Sequence, residues 1–181
     1  KVRYPAISNY AAWQTVQMRW IAERNNYYPP LVAQQMYNLI ARDLESEFVP
    51  MAKQFGVAII AYNPLAGGLL TGKQQQEKPI EGTRFDGNKM YVDRYWHNAN
   101  FEAVEELKKI AERAGRSLVS LSINWLLHHT PTASVILGAS KISQLEENLK
   151  VAGEGPLAGD VVEACDAVYA RLKGPVPRYN R

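Results

Sequence analysis

Apolar residues recur along this chain at two spacings, and their alternation predicts its architecture. From Ala11 to Arg24, Trp13, Val16, Trp20 and Ile21 stand three and four apart, which predicts a helix burying that stripe against a sheet. From Asp43, the residues Leu44, Phe48, Met51, Ala52 and Phe55 repeat the spacing up to a stop at Gly56, with Pro50 as a kink or as the effective start. Asn100 is the expected cap of a helix carrying Phe101, Val104, Leu107, Ile110, Ala111 and Ala114. Ser117 caps another, with Leu118, Leu121, Ser122 and Trp125 inward. Two more helices are expected, one starting near Ser143 and one from about Asp160 to Leu172. Between the helices lie short runs of strand character: Val2 to Ser8, Leu31 to Tyr37, Val57 to Ala61 and Ser134 to Leu137. The five apolar residues Val57 to Ala61 show no polar alternation, the pattern of a strand buried on both faces. The polar stretch Gln74 to Asn98 fits neither spacing and is too long for a connector, so it reads as an excursion over a site.

The resulting order, β-α-β-α-β-α-α-β-α-α, predicts an α/β fold with a parallel sheet and right-handed crossovers. At 181 residues the chain is expected to form a single domain spanning 1–181. A complete (β/α)8 barrel takes about 250 residues, so four strands amount to about half of one.

Charge and cysteine content narrow the function classes. A net charge of +3, from scattered basic residues, gives no basis for a nucleic-acid or membrane-surface partner. There is no signal-peptide pattern, and no apolar run approaches the ~20 residues that span a bilayer, so a cytoplasmic protein is expected. The single Cys165 shares a helical apolar face with Val161, Val168 and Leu172, which reads as a buried structural thiol. His128 and His129 are adjacent and point apart on a helix, and His97 lies far from both, so no metal site is expected.

One stretch carries candidate chemistry. In GVAIIAYNPLAGGLLTGK, Gly56 to Lys73, an apolar strand runs into a turn where Pro64 stops the pairing. Gly67 and Gly68 can take positive φ there and bring backbone N–H groups close to a phosphate, with Lys73 adding charge. The residues alone leave an ordinary strand-to-loop turn and a ligand-binding loop both open.

AYNPLAGGLLTGK resembles the segment after the seventh strand of aldo-keto reductase barrels. AISNY at Ala6 to Tyr10, VAQQMYNLIARDLE at Val32 to Glu45 and VILGASKISQLEEN at Val135 to Asn148 resemble other segments of that family in the right order, and PVPRYNR is similar to its C-terminus. The resemblance covers nearly the whole chain. It implies a (β/α)8 TIM barrel of which this chain holds the C-terminal half, strands five to eight.

By resemblance, Ser8, Asn9 and Gln34 match positions that hydrogen-bond the nicotinamide carboxamide, and Tyr62 matches the aromatic residue stacked on the nicotinamide. Asn63, Pro64, Leu65, Ala66 and Gly67, with Lys73 and Arg84, match the pyrophosphate loop. Gly138, Ser140, Gln144, Glu147 and Asn148 match contacts to the adenosine end; on a helix the last three share a face. The Lys and Arg that many family members place on the 2′-phosphate are absent, with Gly138 and Gln144 in their stead, a pattern closer to bacterial reductases and potassium-channel β subunits. Lys141 remains able to meet a 2′-phosphate, so the implied cofactor is NADP, with NAD also open. The family's catalytic Asp, Tyr, Lys and His belong to its first four strands and have no counterpart here.

The resemblance therefore implies an NADP-dependent oxidoreductase reducing aldehydes or ketones, represented by its cofactor-binding half. The alternative is a non-catalytic nucleotide-binding regulatory module. The expected partners are a small carbonyl substrate and the amino-terminal half of the barrel, with an oligomer possible.

Overall fold

The computed structural model describes residues 2–175. Four short strands, β1 (Ala6–Ser8), β2 (Val32–Met36), β3 (Ala58–Tyr62) and β4 (Thr132–Val135), form one all-parallel sheet in sequential order. The crossovers carry helices α1 (Ala12–Arg24) and α2 (Phe48–Phe55), then α3 (Lys89–Tyr95), α4 (Asn98–Arg113) and α5 (Leu118–His129). After β4 come α6 (Ile142–Lys150) and α7 (Gly159–Lys173). The sequence PVPRYNR lies outside the described residues from position 176 onward.

Burial alternates along the strands. Ala33 and Gln35 of β2, with Ile59 and Ala61 of β3, are buried on the side covered by helices. Val32, Gln34 and Met36 face the opposite side with Ala58, Ile60 and Tyr62, in register, and all six are only half-buried. The expectation that Val57–Ala61 is buried on both faces is thus corrected: helices cover one face and leave the other open. On the covered side, Ala33, Val57 and Ile59 pack with Phe48, Val49, Met51 and Ala52 of α2. A larger cluster gathers Tyr37, Ala61, Leu69 and Leu70 with Leu107 of α4, Leu121 and Trp125 of α5, and Cys165 and Val168 of α7. Burial pushes the Cys165 thiol up to about 12, as befits a structural cysteine.

Several boundaries differ from the sequence expectation. The first strand is only Ala6–Ser8, because pairing with β2 begins at Ala6, after Pro5. Asp43–Glu45 form a separate 3-10 turn, and α2 begins at Phe48, so Pro50 falls in its first turn, where a missing N–H costs nothing. β4 sits two residues earlier than Ser134–Leu137, since its ladder to β3 pairs Ile59 with Thr132 and Ala61 with Val135 across a register shift. His97, not Asn100, is the residue before α4, and Asn100 instead donates to Tyr95 O at 2.9 Å. Ser117 does cap α5, accepting Ser120 N–H at 3.1 Å.

The apolar stripe of α1 splits: Val16 is half-buried against the α2 cluster, but the rest of the stripe faces out. Trp13, Trp20 and Ile21 are 66%, 59% and 53% exposed, whereas Thr15 and Ala22 are buried. Thr15 and Ala22 occupy the inner face, and the indoles stay outside.

Candidate cofactor site

The carboxyl ends of three adjacent strands bring the first group of residues together. Ser8 stands beside Gln34, and Gln34 beside Ile60, in the parallel register. Asn9 follows β1 with φ at 61°, and its N–H donates to Gln34 O at 3.2 Å. The Tyr62 hydroxyl donates to Asn9 Oδ1 at 2.9 Å, so the phenol bridges the end of β2. Gln34 belongs to the open face, while Gln35 is buried among the helices with its amide donating to Tyr10 O at 3.0 Å.

The glycine turn is held from within. Gly67 and Gly68 take φ of 70° and 106°, but their N–H groups already have acceptors: Asn63 Oδ1 at 2.7 Å and Leu65 O at 2.8 Å. Ala66 N–H likewise donates to Asn63 O at 3.0 Å. The expectation that the two glycine amides stand ready for a phosphate is corrected, because the turn folds back on itself and uses them. Their lack of a side chain serves approach instead. A Cβ on Gly67 would lie 2.6 Å from Tyr91 Cδ1 and 3.3 Å from Phe85 Cζ, so the excursion rests directly on the turn. At Gly68 a Cβ would meet nothing within 4 Å, leaving that side of the turn open.

The excursion contains α3, a short helix that its polar sequence concealed. Phe85, Tyr91 and Trp96 form edge and tilted ring contacts, and Trp96 packs on Phe101 of α4. Arg84 Nη1 donates to the Tyr91 hydroxyl at 2.8 Å, while Arg84 Nη2 lies 3.4 Å from where a Gly138 Cβ would be. The guanidinium therefore adjoins the turn after β4 and reaches the turn after β3 only through the Tyr91 ring. Lys73 is exposed at the far end of the glycine segment, and its ammonium forms no ion pair among the described residues.

After β4, Gln144 Oε1 accepts Ser140 N–H at 2.9 Å, Lys141 N–H at 3.2 Å and the Ser140 hydroxyl at 3.1 Å. Its amide closes the first turn of α6, which starts one residue before the expected Ser143. Glu147 and Lys141 are exposed, but Asn148 is only 5% exposed. The shared face expected for Gln144, Glu147 and Asn148 splits: the first two reach solvent and Asn148 turns inward.

Two further polar groups escaped the sequence reading. Asn38 and Tyr95 lie behind the glycine turn, and Arg42 lies behind the strand ends, pairing with Glu45 at 2.8 Å and Asp166 at 2.6 Å. Arg42 is sandwiched between the Trp125 and Tyr169 rings, at 4.6 and 4.9 Å. The Tyr37 hydroxyl donates to Glu45 at 2.6 Å; burial first, and then that carboxylate, push its ionisation upward. The sequence signal for Asn38 and Arg42 was their placement just after the end of β2, whereas Tyr95, at the end of α3, had none. Among the described residues, no three His, Cys, Asp or Glu side chains are placed to hold a metal, and no helix is long and apolar enough to cross a membrane.

The model of the aldo/keto reductase family matches residues 1–170. The chain belongs to the aldo/keto reductase family. Human aldo-keto reductase family 7 member A3 is 38% identical over 97% of this chain and 57% of its own length. Rat aflatoxin B1 aldehyde reductase member 2 is 39% identical, over 97% of this chain and 52% of its own. A rice protein described as a probable voltage-gated potassium channel subunit beta is 34% identical, over 91% of this chain and 52% of its own. The chain spans about half the length of the curated relatives it matches. Aldo/keto reductase membership implies a (β/α)8 barrel, and a four-stranded parallel sheet with one helix-covered face is consistent with part of one.

Proposed function

We propose that this aldo/keto reductase chain is the cofactor-binding half of an NADP-dependent oxidoreductase that reduces aldehydes or ketones to alcohols. The observation that carries the reading is Arg84, a cation that lies against Gly138 in the turn after β4 and is held by Tyr91, the ring resting on Gly67 in the turn after β3. Those are the turns where barrels of this class often hold phosphate. The open side of Gly68 fits the same ligand.

In this reading Ser8, Asn9 and Gln34 hold the nicotinamide carboxamide, and Tyr62 offers its ring to the nicotinamide face. Asn63, Pro64, Leu65, Ala66 and Gly67 shape the pyrophosphate turn, with Arg84 and Lys73 supplying charge. Gly138, Ser140, Gln144, Glu147 and Asn148 line the adenosine end, and Lys141 meets a 2′-phosphate. NADPH, when bound, supplies the hydride for the carbonyl carbon. The proton donor belongs to the amino-terminal half, which covers the open face bearing Val32, Gln34, Met36, Ala58, Ile60 and Tyr62 and thereby encloses a barrel interior.

A second reading retains binding and drops turnover, as a nucleotide-dependent regulatory module. Its support is the similarity to the rice channel subunit. Titration of the purified chain with NADPH, followed by fluorescence, tests both. Saturable binding without carbonyl-dependent NADPH oxidation is expected, with oxidation restored by adding the amino-terminal half only if the enzyme reading holds. Absence of binding overturns both readings, and turnover by this chain alone overturns the division of labour.

A further inference from the structure

Behind the glycine turn, a closed polar chain links the excursion to the backbone that the proposed cofactor meets. Tyr95, the last residue of α3, is 2% exposed, and burial pushes its hydroxyl up to about 12, so it is neutral at physiological pH. Its oxygen accepts Asn63 Nδ2 at 2.9 Å and Asn38 Nδ2 at 3.2 Å, and its hydrogen is directed to Met36 Sδ at 3.1 Å. Asn38, fully buried, also donates to Asn63 O at 3.0 Å and accepts Ile40 N–H at 3.1 Å. Asn63, with φ at 61°, accepts Gly67 N–H through Oδ1. Only an oxygen can accept that N–H, so the amide orientation is fixed by the network, with Nδ2 directed to Tyr95.

Among the described residues, the Tyr95 hydroxyl is the only acceptor for Asn63 Nδ2. Removing it leaves a half-buried amide donor unpaired, and the amide then gains by rotating toward another acceptor and releasing Gly67. Gly67 in turn carries the ring of Tyr91, and Tyr91 carries Arg84. The packing of the aromatic excursion does not by itself dictate this chain of contacts, since Phe in place of Tyr95 would fill the same space.

We propose that Tyr95 is a positioning residue for cofactor binding: through the Asn63 amide it holds the Asn63–Gly67 turn in the conformation that receives the pyrophosphate. The proposal rests on the cofactor reading above. Tyr95 touches neither cofactor nor substrate; it acts on Asn63 directly through the side-chain amide and also by way of Asn38, which donates to the Asn63 carbonyl.

The test is a double-mutant cycle on NADPH affinity with Tyr95→Phe, Asn63→Ala and the double variant, each checked for an unchanged circular dichroism spectrum. Tyr95→Phe is expected to weaken NADPH binding roughly three- to tenfold. The double variant should lose clearly less affinity than the sum of the two single losses, because Asn63→Ala removes the amide that the Tyr95 hydroxyl accepts. In the ligand-free chain, the Gly67 amide should exchange faster in Tyr95→Phe while the Gly72 amide does not. Wild-type binding with unchanged affinity in Tyr95→Phe overturns this proposal alone, as do fully additive losses, which mark a merely structural role. A wild-type chain that binds no NADPH overturns the cofactor reading and this proposal with it. If Tyr95→Phe does not fold, hydrogen exchange in the wild-type chain decides instead: a Gly67 amide that exchanges as freely as an unbonded one overturns the proposal.

Discussion

The Tyr62 hydroxyl donates to Asn9 Oδ1 at 2.9 Å, joining the carboxyl end of β3 to that of β1 across the end of β2. Ring and hydroxyl thus have separable tasks. Tyr62→Phe should keep the stacking face and lose only this tie, whereas Tyr62→Ala should lose both. NADPH affinity, read by fluorescence titration, is expected to fall by about 1 kcal/mol or more in the alanine variant and by less in the phenylalanine variant. Equal affinity in wild type and Tyr62→Ala would argue against stacking.

Gly67 is constrained by its neighbour rather than by a ligand. Gly67→Ala would press a methyl group to 2.6 Å from the Tyr91 ring, at a φ of 70°. Thermal unfolding should show a loss of roughly 1–3 kcal/mol. Tyr91→Ala introduced into that variant should recover part of it, and a double variant less stable than the sum of the two changes would refute the clash.

Arg42 is 11% exposed, between two rings and two carboxylates. Arg42→Leu leaves Glu45 and Asp166 without their cation, and chemical denaturation should report a loss of about 2–3 kcal/mol, below the fully buried limit because both acids reach water. The exposed pair Lys89–Asp93 provides the contrast: Lys89→Ala should cost about 0.5 kcal/mol or less.

His129 Nε2 accepts Leu157 N–H at 3.0 Å, which requires the neutral ring. Burial first, and then the His128 charge, lower its pKa from the usual 6.5. The unfolded chain then binds the proton at a higher pH than the folded chain does, so this contribution is full above pH 6.5 and declines as pH falls from there toward the lowered folded value. Melting curves at pH 7.5 and 5.5 should show wild type losing more stability over that interval than His129→Gln. A larger loss in the variant would contradict the assignment.

Lys141 stands exposed at the start of α6, beside the capping Gln144. If it meets a 2′-phosphate, Lys141→Ala should lose discrimination between NADPH and NADH, and added salt should erode the wild-type preference. Equal wild-type affinity for the two dinucleotides would remove this role.

Much of the fold was legible because backbone period and burial are coupled locally. The helices at Phe101–Ala111 and Leu118–Trp125 bury the residues that their spacing selects, and the Ser117 cap forms as its side chain dictates. The stretch AYNPLAGG announced a strand end followed by a turn, since Pro64 and two glycines leave the chain few other conformations there. Family membership was legible in the same segments, because strand-end residues occur at fixed distances along the chain.

What spacing could not decide was which face of an element meets a neighbour. The α1 residues Trp13, Trp20 and Ile21 have a helical period, yet Thr15 and Ala22 are the ones buried, a choice of face that period alone does not carry. Gln144 and Asn148 share a helix face on paper and part company in the structure, one closing a turn and the other buried by what packs against α6. The links among Asn38, Asn63, Tyr95 and Gly67 were invisible, as they join residues up to 57 positions apart. The sequence by itself determined the succession of elements apart from α3, and the residue types at each strand end. Only the tertiary structure decided which of those groups are already engaged with one another, since a hydrogen bond between distant residues depends on relative placement and leaves no period in the chain.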